Sequence, residues 1–177
     1  MNKNIIVTFL AIIILTGLVV VSIKGRDSEG VIKVGVIAPL SGPQGSIGEE
    51  IVNTIKLAST TNVYISYEDD QCDGKKAISA YQKLKNEGVH IFNINCSGSV
   101  LAVAPIAKQD GNVIITGYAG SSEIRQTGDE VIRFTPDSIS IAGAMANYVS
   151  TSTIVGNVGL FYEEQDYAVS AAKVLKE

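Results

Sequence analysis

Val31-Ile32-Lys33-Val34-Gly35-Val36-Ile37-Ala38 is the stretch on which the fold turns. It is a nearly continuous apolar run, the pattern of a strand in a parallel sheet covered on both faces. Further strand-like runs follow at Val63–Tyr67, Val89–Ile94, Val113–Thr116 and Val131–Phe134. Helical segments separate them. Ala77, Ile78, Tyr81 and Leu84 recur at helical spacing, with Asp73 as N-cap and Gly88 as the stop. Val100, Leu101, Ala104 and Ala107 make a second apolar face, and Pro105 within it predicts two short helical pieces rather than one. The alternation predicts an α/β fold, a parallel sheet flanked by helices on both faces.

Farther along, Ile139–Val149 reads as a helix entered through Pro136-Asp137-Ser138, Thr153–Phe161 as a strand and Tyr167–Leu175 as a last helix. One strand and its helices bury little apolar area by themselves, and the pattern stops at Lys176-Glu177 within a helix. The expectation is truncation, or a partner that supplies the remaining half.

At the other end, Ile5–Ile23 carries no charged residue. At about 1.5 Å per residue it is just long enough to cross a bilayer, and longer than the roughly 7–15 residues of a signal-peptide core. No Ala-x-Ala-like cleavage site follows it. Residues 1–23 therefore read as a transmembrane anchor, with a removed signal peptide and a core helix as alternatives, and 24–30 as a short tether. Lys3 on one flank opposes Lys24 and Arg26 on the other, so charge does not set the orientation.

Composition narrows the function. The chain has 177 residues, a net charge of -4, 46% hydrophobic residues and only 6% aromatic ones. Its Lys and Arg are scattered, so neither a phosphate-tracking groove nor a base-stacking platform is expected and nucleic acid is not a partner.

Cys72, in Glu68-Asp69-Asp70-Gln71-Cys72-Asp73, and Cys96, in Asn95-Cys96-Ser97-Gly98-Ser99, each lie where an apolar run gives way to a loop. If neighbouring parallel strands carry them, the sulfurs can meet at one sheet edge. A bridge closing about 25 residues would stabilise by about 3–4 kcal/mol on the chain-entropy model. Buried unpaired thiols and a reactive thiol are the other readings. The single histidine, His90, lies about 20 Å from Cys96 along an extended strand, too far to share its proton. Two cysteines and one histidine at these spacings match no usual zinc site. Neither catalysis, a metal nor a cofactor is expected. A disulfide would put the domain outside the cytoplasm, where thiols stay oxidised. The loop opening at Ser97 is then the candidate ligand site.

Gly42, Gly45 and Gly48, after the first strand, offer a rival reading as a dinucleotide-binding turn of an oxidoreductase. The spacing is GxxGxxG rather than GxGxxG, and Pro43 lacks an N–H for phosphate.

Ile32-Lys33-Val34-Gly35-Val36-Ile37-Ala38-Pro39-Leu40-Ser41-Gly42-Pro43, the two cysteine motifs and Gly117-Tyr118-Ala119-Gly120 together resemble the leucine/isoleucine/valine-binding proteins, in register from about Val31 to Glu177. These are extracytoplasmic solute receptors of branched-chain amino-acid ABC transporters. The resemblance implies a two-lobed clamshell of the type I periplasmic-binding-protein kind, residues 31–135 supplying the first α/β lobe and 136–177 the crossover and opening of the second. It implies a disulfide between Cys72 and Cys96, an amino-acid ligand and a transporter permease as partner. A membrane-tethered sensor or a degenerate remnant of the same fold is the alternative role.

Carried over by the resemblance, Ser97 binds the ligand carboxylate through its hydroxyl and N–H. Tyr118, Ala119 and Gly120 form the loop that holds the ligand's carboxylate and ammonium, and Tyr167 closes over it from the second lobe. Gly120 departs from a usual threonine, whose hydroxyl Ser121 or Ser122 would have to replace. Ile47 stands where an aromatic ring is common, and the acidic partner of the ammonium would lie beyond Glu177. Plainer roles compete: Ser97 as an N-cap, Tyr167 as helix-surface packing, and Glu68-Asp69-Asp70 as a solvated loop.

Overall fold

The computed structural model describes residues 30–58, 60–152 and 156–176. The anchor reading of Ile5–Ile23 falls outside them. Among the described residues no helix is long and apolar enough to cross a membrane.

Five strands form one sheet: β1 Ile32–Ala38, β2 Val63–Asp69, β3 Ile91–Ile94, β4 Val113–Thr116 and β5 Val131–Arg133. Every pairing is parallel and the order is β2-β1-β3-β4-β5. The strands lie where the apolar runs predicted them, with ends moved by one or two residues. Helix α1 spans Gly45–Ala58, α2 Gly74–Asn86, α3 Ser97–Asp110, α4 Ser138–Thr151 and α5 Asp166–Lys176. A 3-10 turn covers Ser122–Gln126.

The main core lies on one face of the sheet. Ile37, Phe92, Ile94 and Ile114 from the strands meet Ala77, Tyr81 and Leu84 of α2 and Val100, Val103, Ala104 and Ala107 of α3. Gly35 makes that closeness achievable, since a Cβ there would lie 2.8 Å from Leu84 Cδ1. Right-handed crossovers assign α1 to the opposite face, because the chain leaves β1 in one direction and β2 in the other. That face is thinner: Val34, Ile91 and Ile115 are only half-buried.

The caps on α2 match the sequence. Asp73 Oδ1 accepts from the Lys76 N–H at 2.9 Å, and Gly88, at φ +82°, carries the chain out after Asn86. Two expectations fail. Pro105 does not divide α3, which runs unbroken from Ser97 to Asp110. Proline removes one N–H, but four buried side chains of this helix, Val100, Val103, Ala104 and Ala107, hold both halves on the same core. Nor does the run ending at Phe161 form a strand: none of residues 156–161 is in one. With no neighbouring strand among the described residues, the segment has no ladder to join, and Val158 and Phe161 stay exposed.

Candidate functional site

The chain leaves β1 toward one edge of the sheet and β3 toward the other, so a crevice opens at their carboxyl ends. A cavity of about 510 Å³ occupies this place. Its walls come from the loop after β1 and the start of α1 (Gln44, Ile47), the β3–α3 junction (Asn95 to Gly98), the loop after β4 (Gly117, Tyr118, Gly120) and the entry to α5 (Glu163 to Ala168).

Helix α3 points its start into this space. Cys96 holds the N-cap position in extended conformation and provides no side-chain cap. Ser97 is thus the first helical residue, not the cap. The first helical bond runs from the Val100 N–H to the Cys96 carbonyl at 2.9 Å. Among the described residues the N–H groups of Ser97 and Gly98 find no acceptor. Uncapped N–H groups and the helix dipole together make a seat for an anion.

That seat is held from behind. Cys72 and Cys96 form a disulfide, their Cα atoms 5.3 Å apart. Gln71 and Cys72 adopt φ of +48° and +55°, a left-handed turn uncommon for side chains of this kind. Beneath it, the fully buried Asp70 accepts from Ser99 Oγ at 2.6 Å and from the Cys72 N–H at 3.0 Å. Burial pushes the Asp70 carboxyl above its ordinary value, and these hydrogen bonds offset only part of the rise. Asp69 ties the neighbouring loop, accepting from the N–H groups of Leu40 at 2.9 Å and Gln71 at 3.1 Å. Glu68 pairs with Lys83. The acidic run is therefore scaffold, and none of it lines the cavity. Asp70, Cys72 and Cys96 bring potential ligand atoms within 4.8 Å of one another, but bridged sulfurs offer no thiolate to a metal.

Of the residues singled out from the sequence, Ser97, Tyr118, Gly120, Tyr167 and Ile47 all line the cavity. Ser97 Oγ, almost buried, also accepts the Ser121 N–H at 3.1 Å. Ala119 does not line it: the residue is buried and its N–H is taken by Thr116 Oγ1 at 3.1 Å. Tyr167 lies against the bare backbone of Gly120, where a Cβ would come 2.7 Å from its ring. The suggestion that Ser121 or Ser122 restores the missing threonine hydroxyl fails. Ser121 Oγ accepts from the Glu123 N–H and Ser122 Oγ bonds Ser170 Oγ at 2.6 Å, and neither faces the cavity.

The sequence reading missed Asn95, Gln44 and the segment Glu163 to Asp166 as wall residues. Gln44 Nε2 donates to Gln165 Oε1 at 2.9 Å, joining the start of α1 to the entry of α5. Such pairs lie far apart in sequence, and only the crossover geometry unites them.

Crevices of this kind, at the carboxyl ends of parallel strands where the order reverses, are where small ligands bind in open α/β folds. The chain belongs to the periplasmic binding protein family, whose model matches residues 31–177, and that family comprises solute-binding proteins rather than enzymes. It is 24% identical to the leucine-specific-binding protein of Salmonella typhimurium, over 93% of this chain and 48% of that protein. It is 23% identical to the Leu/Ile/Val-binding protein of Escherichia coli K12, with the same coverages. The chain spans about half the length of these curated relatives. Among solved structures it resembles a leucine-binding protein of Thermotoga maritima, at TM-score 0.75 and 23% identity, over 82% of this chain and 45% of that one. It also resembles an R. palustris solute-binding protein in complex with 4-hydroxybenzoate, at TM-score 0.74 and 19% identity, over 82% and 42%. The dinucleotide-binding reading yields to this family. Gly48 serves instead to seat α1 on the Pro39 carbonyl, which leaves no room for a Cβ.

Proposed function

We propose that this chain serves in an extracytoplasmic receptor that captures an amino acid, branched-chain or similar, for the permease of an ABC transporter, and that residues 5–23 tether it to the membrane. The observation that carries the reading is the uncapped start of α3, with Ser97, opening on a cavity whose described lining holds three carboxylates (Glu163, Glu164 and Asp166) and neither lysine nor arginine. A helix start accepts a carboxylate without a basic residue, and the acidic wall favours a ligand that also carries a positive charge. The named specificities of the curated relatives point the same way.

A second reading is a simple aromatic carboxylate, favoured by the rings of Tyr118 and Tyr167 on the cavity wall and by the 4-hydroxybenzoate complex among structural relatives. Calorimetric titration of the full chain with L-leucine, L-isoleucine, L-valine and 4-hydroxybenzoate decides between them. Binding of an amino acid that Ser97→Ala weakens is the expected result. Binding of 4-hydroxybenzoate alone would transfer the site to the second reading, and an unaltered Ser97→Ala affinity would reject the seat.

A further inference from the structure

Asn95 is a buried polar residue. It follows the last residue of β3, is 4% exposed, and lies on the cavity wall. Its Nδ2 donates back to Asn93 Oδ1 at 2.7 Å and toward the Ile37 carbonyl at 3.4 Å, and two acceptors on that side set which end of the carboxamide is which. The Oδ1 is the end that makes neither of these bonds. Among the described residues no donor reaches it. Since Glu130 Oε1 is the one buried side-chain polar atom without a partner among the described residues, Asn95 Oδ1 is not sealed in but accessible, on a residue that lines the cavity, and a ligand donor there completes its bonding.

An exposed carboxylate without a side-chain partner among the described residues stands in the same cavity. Asp166, the first residue of α5, makes no hydrogen bond or ion pair among the described residues. It sits beside the start of α3, so close that a Cβ on Gly98 would come 2.5 Å from Asp166 Oδ2. A seat for an anion, a carboxamide oxygen without a donor and a carboxylate without a partner thus line one cavity. An α-amino acid presents its carboxylate and ammonium one carbon apart, so a receptor for it needs an anion seat and ammonium acceptors in the same cavity.

We propose that Asn95 Oδ1 and the Asp166 carboxylate receive the ammonium group of the bound amino acid, so that this chain selects zwitterions over simple carboxylates with its own residues. The inference rests on the amino-acid reading above and assigns the counter-charge to α5, within the chain, instead of to residues past Glu177. Asn95 gives direction and Asp166 gives charge. Gly120, which lines the same cavity, has no hydroxyl of its own to compete for that group.

The test compares two probes that share a side chain, L-leucine and 4-methylpentanoate, which lacks the amino group. The 177-residue chain is titrated as wild type, Asn95→Leu and Asp166→Asn. Each substitution is expected to weaken L-leucine by about tenfold or more, the effect of losing a charge-assisted hydrogen bond. The affinity for 4-methylpentanoate is expected to hold in Asn95→Leu and to hold or tighten in Asp166→Asn. Retained 4-methylpentanoate binding also reports an intact seat, so a misfolded variant is not mistaken for a positive result. Equal weakening of both probes, unchanged L-leucine affinity, or tighter binding of both in Asp166→Asn would overturn the assignment while leaving the receptor reading standing. If the wild type binds neither probe, the receptor reading itself fails.

Discussion

Phe92 and Phe161 both sit in apolar runs that read as strands in the sequence, yet the first is fully buried and the second is 96% exposed. Phe92 belongs to β3, with β1 and β4 on either side and α2 and α3 packed above. Phe161 follows Val158 and Leu160 in an extended segment that pairs with no strand among the described residues, near an α4 that also exposes Met145 and Tyr148. Hydrophobicity is similar in the two regions. The difference is that crossovers deliver strand neighbours and a pair of helices to one region and not to the other, so burial follows topology and not composition alone.

The comparison breaks most visibly at its buried side. Phe92→Ala is expected to destabilise by about 3–5 kcal/mol in urea unfolding, through lost transfer energy and the cavity left under α2 and α3. If its cost fell to that of a surface change, the core assignment would be wrong.

Next in size is the disulfide. Reduction, or the paired change Cys72→Ser with Cys96→Ser, is expected to cost about 2–4 kcal/mol for a loop of this span, read as a lower midpoint in reductant. An unchanged midpoint would mean the turn is held by Asp70 and Asp69 alone.

A smaller effect is expected at Asp137, the buried N-cap of α4, which joins the β5 side of the sheet to the exposed region. Its Oδ1 accepts from the Ser140 N–H at 2.9 Å, and it pairs with Arg125 and Arg133. Burial alone would raise its carboxyl, but the bonds from Ser140 and Arg125 prevail and lower it from 3.8 to about 2. The folded value lies below the unfolded one, so the contribution is complete above about pH 4 and disappears as pH falls through about 2. Asp137→Ala is expected to cost about 0.5–2 kcal/mol at neutral pH and to flatten stability between those limits. A variant with the wild-type acid limb would remove Asp137 from the account.

The smallest expected effect closes the comparison. Phe161→Ala is expected to change stability by no more than about 0.5 kcal/mol, as at other open surface positions. A loss of several times that size in the same unfolding assay would show that the segment is covered in solution.

Much of the fold could be read from local pattern. The apolar runs located five strands, Asp73 and Gly88 marked the ends of α2, and Asp137 marked the start of α4. Each of those signals acts through its own few neighbours, by capping, turn formation or periodic burial. Pro105 misled because a local cost was outweighed by packing along the whole of α3. The run to Phe161 misled because a strand needs a partner that no residue within it can supply. At the site, Ser97, Tyr118, Gly120 and Tyr167 were visible as motif residues, whereas Asn95 and Asp166 carried no sequence signal as wall residues.

Sequence by itself determined the alternation of strands and helices, the caps, and the positions of two cysteines able to bridge, because these depend on side-chain periodicity and short-range hydrogen bonding. Tertiary structure alone decided which loops converge, how the start of α3 came to be uncapped and open, and that Asn95, Gly120 and Tyr167 share one cavity. The physical reason is that a parallel sheet sets its neighbours through crossovers spanning tens of residues, so the walls of a site between β1 and β3 come from segments whose proximity exists only once the order β2-β1-β3-β4-β5 has formed.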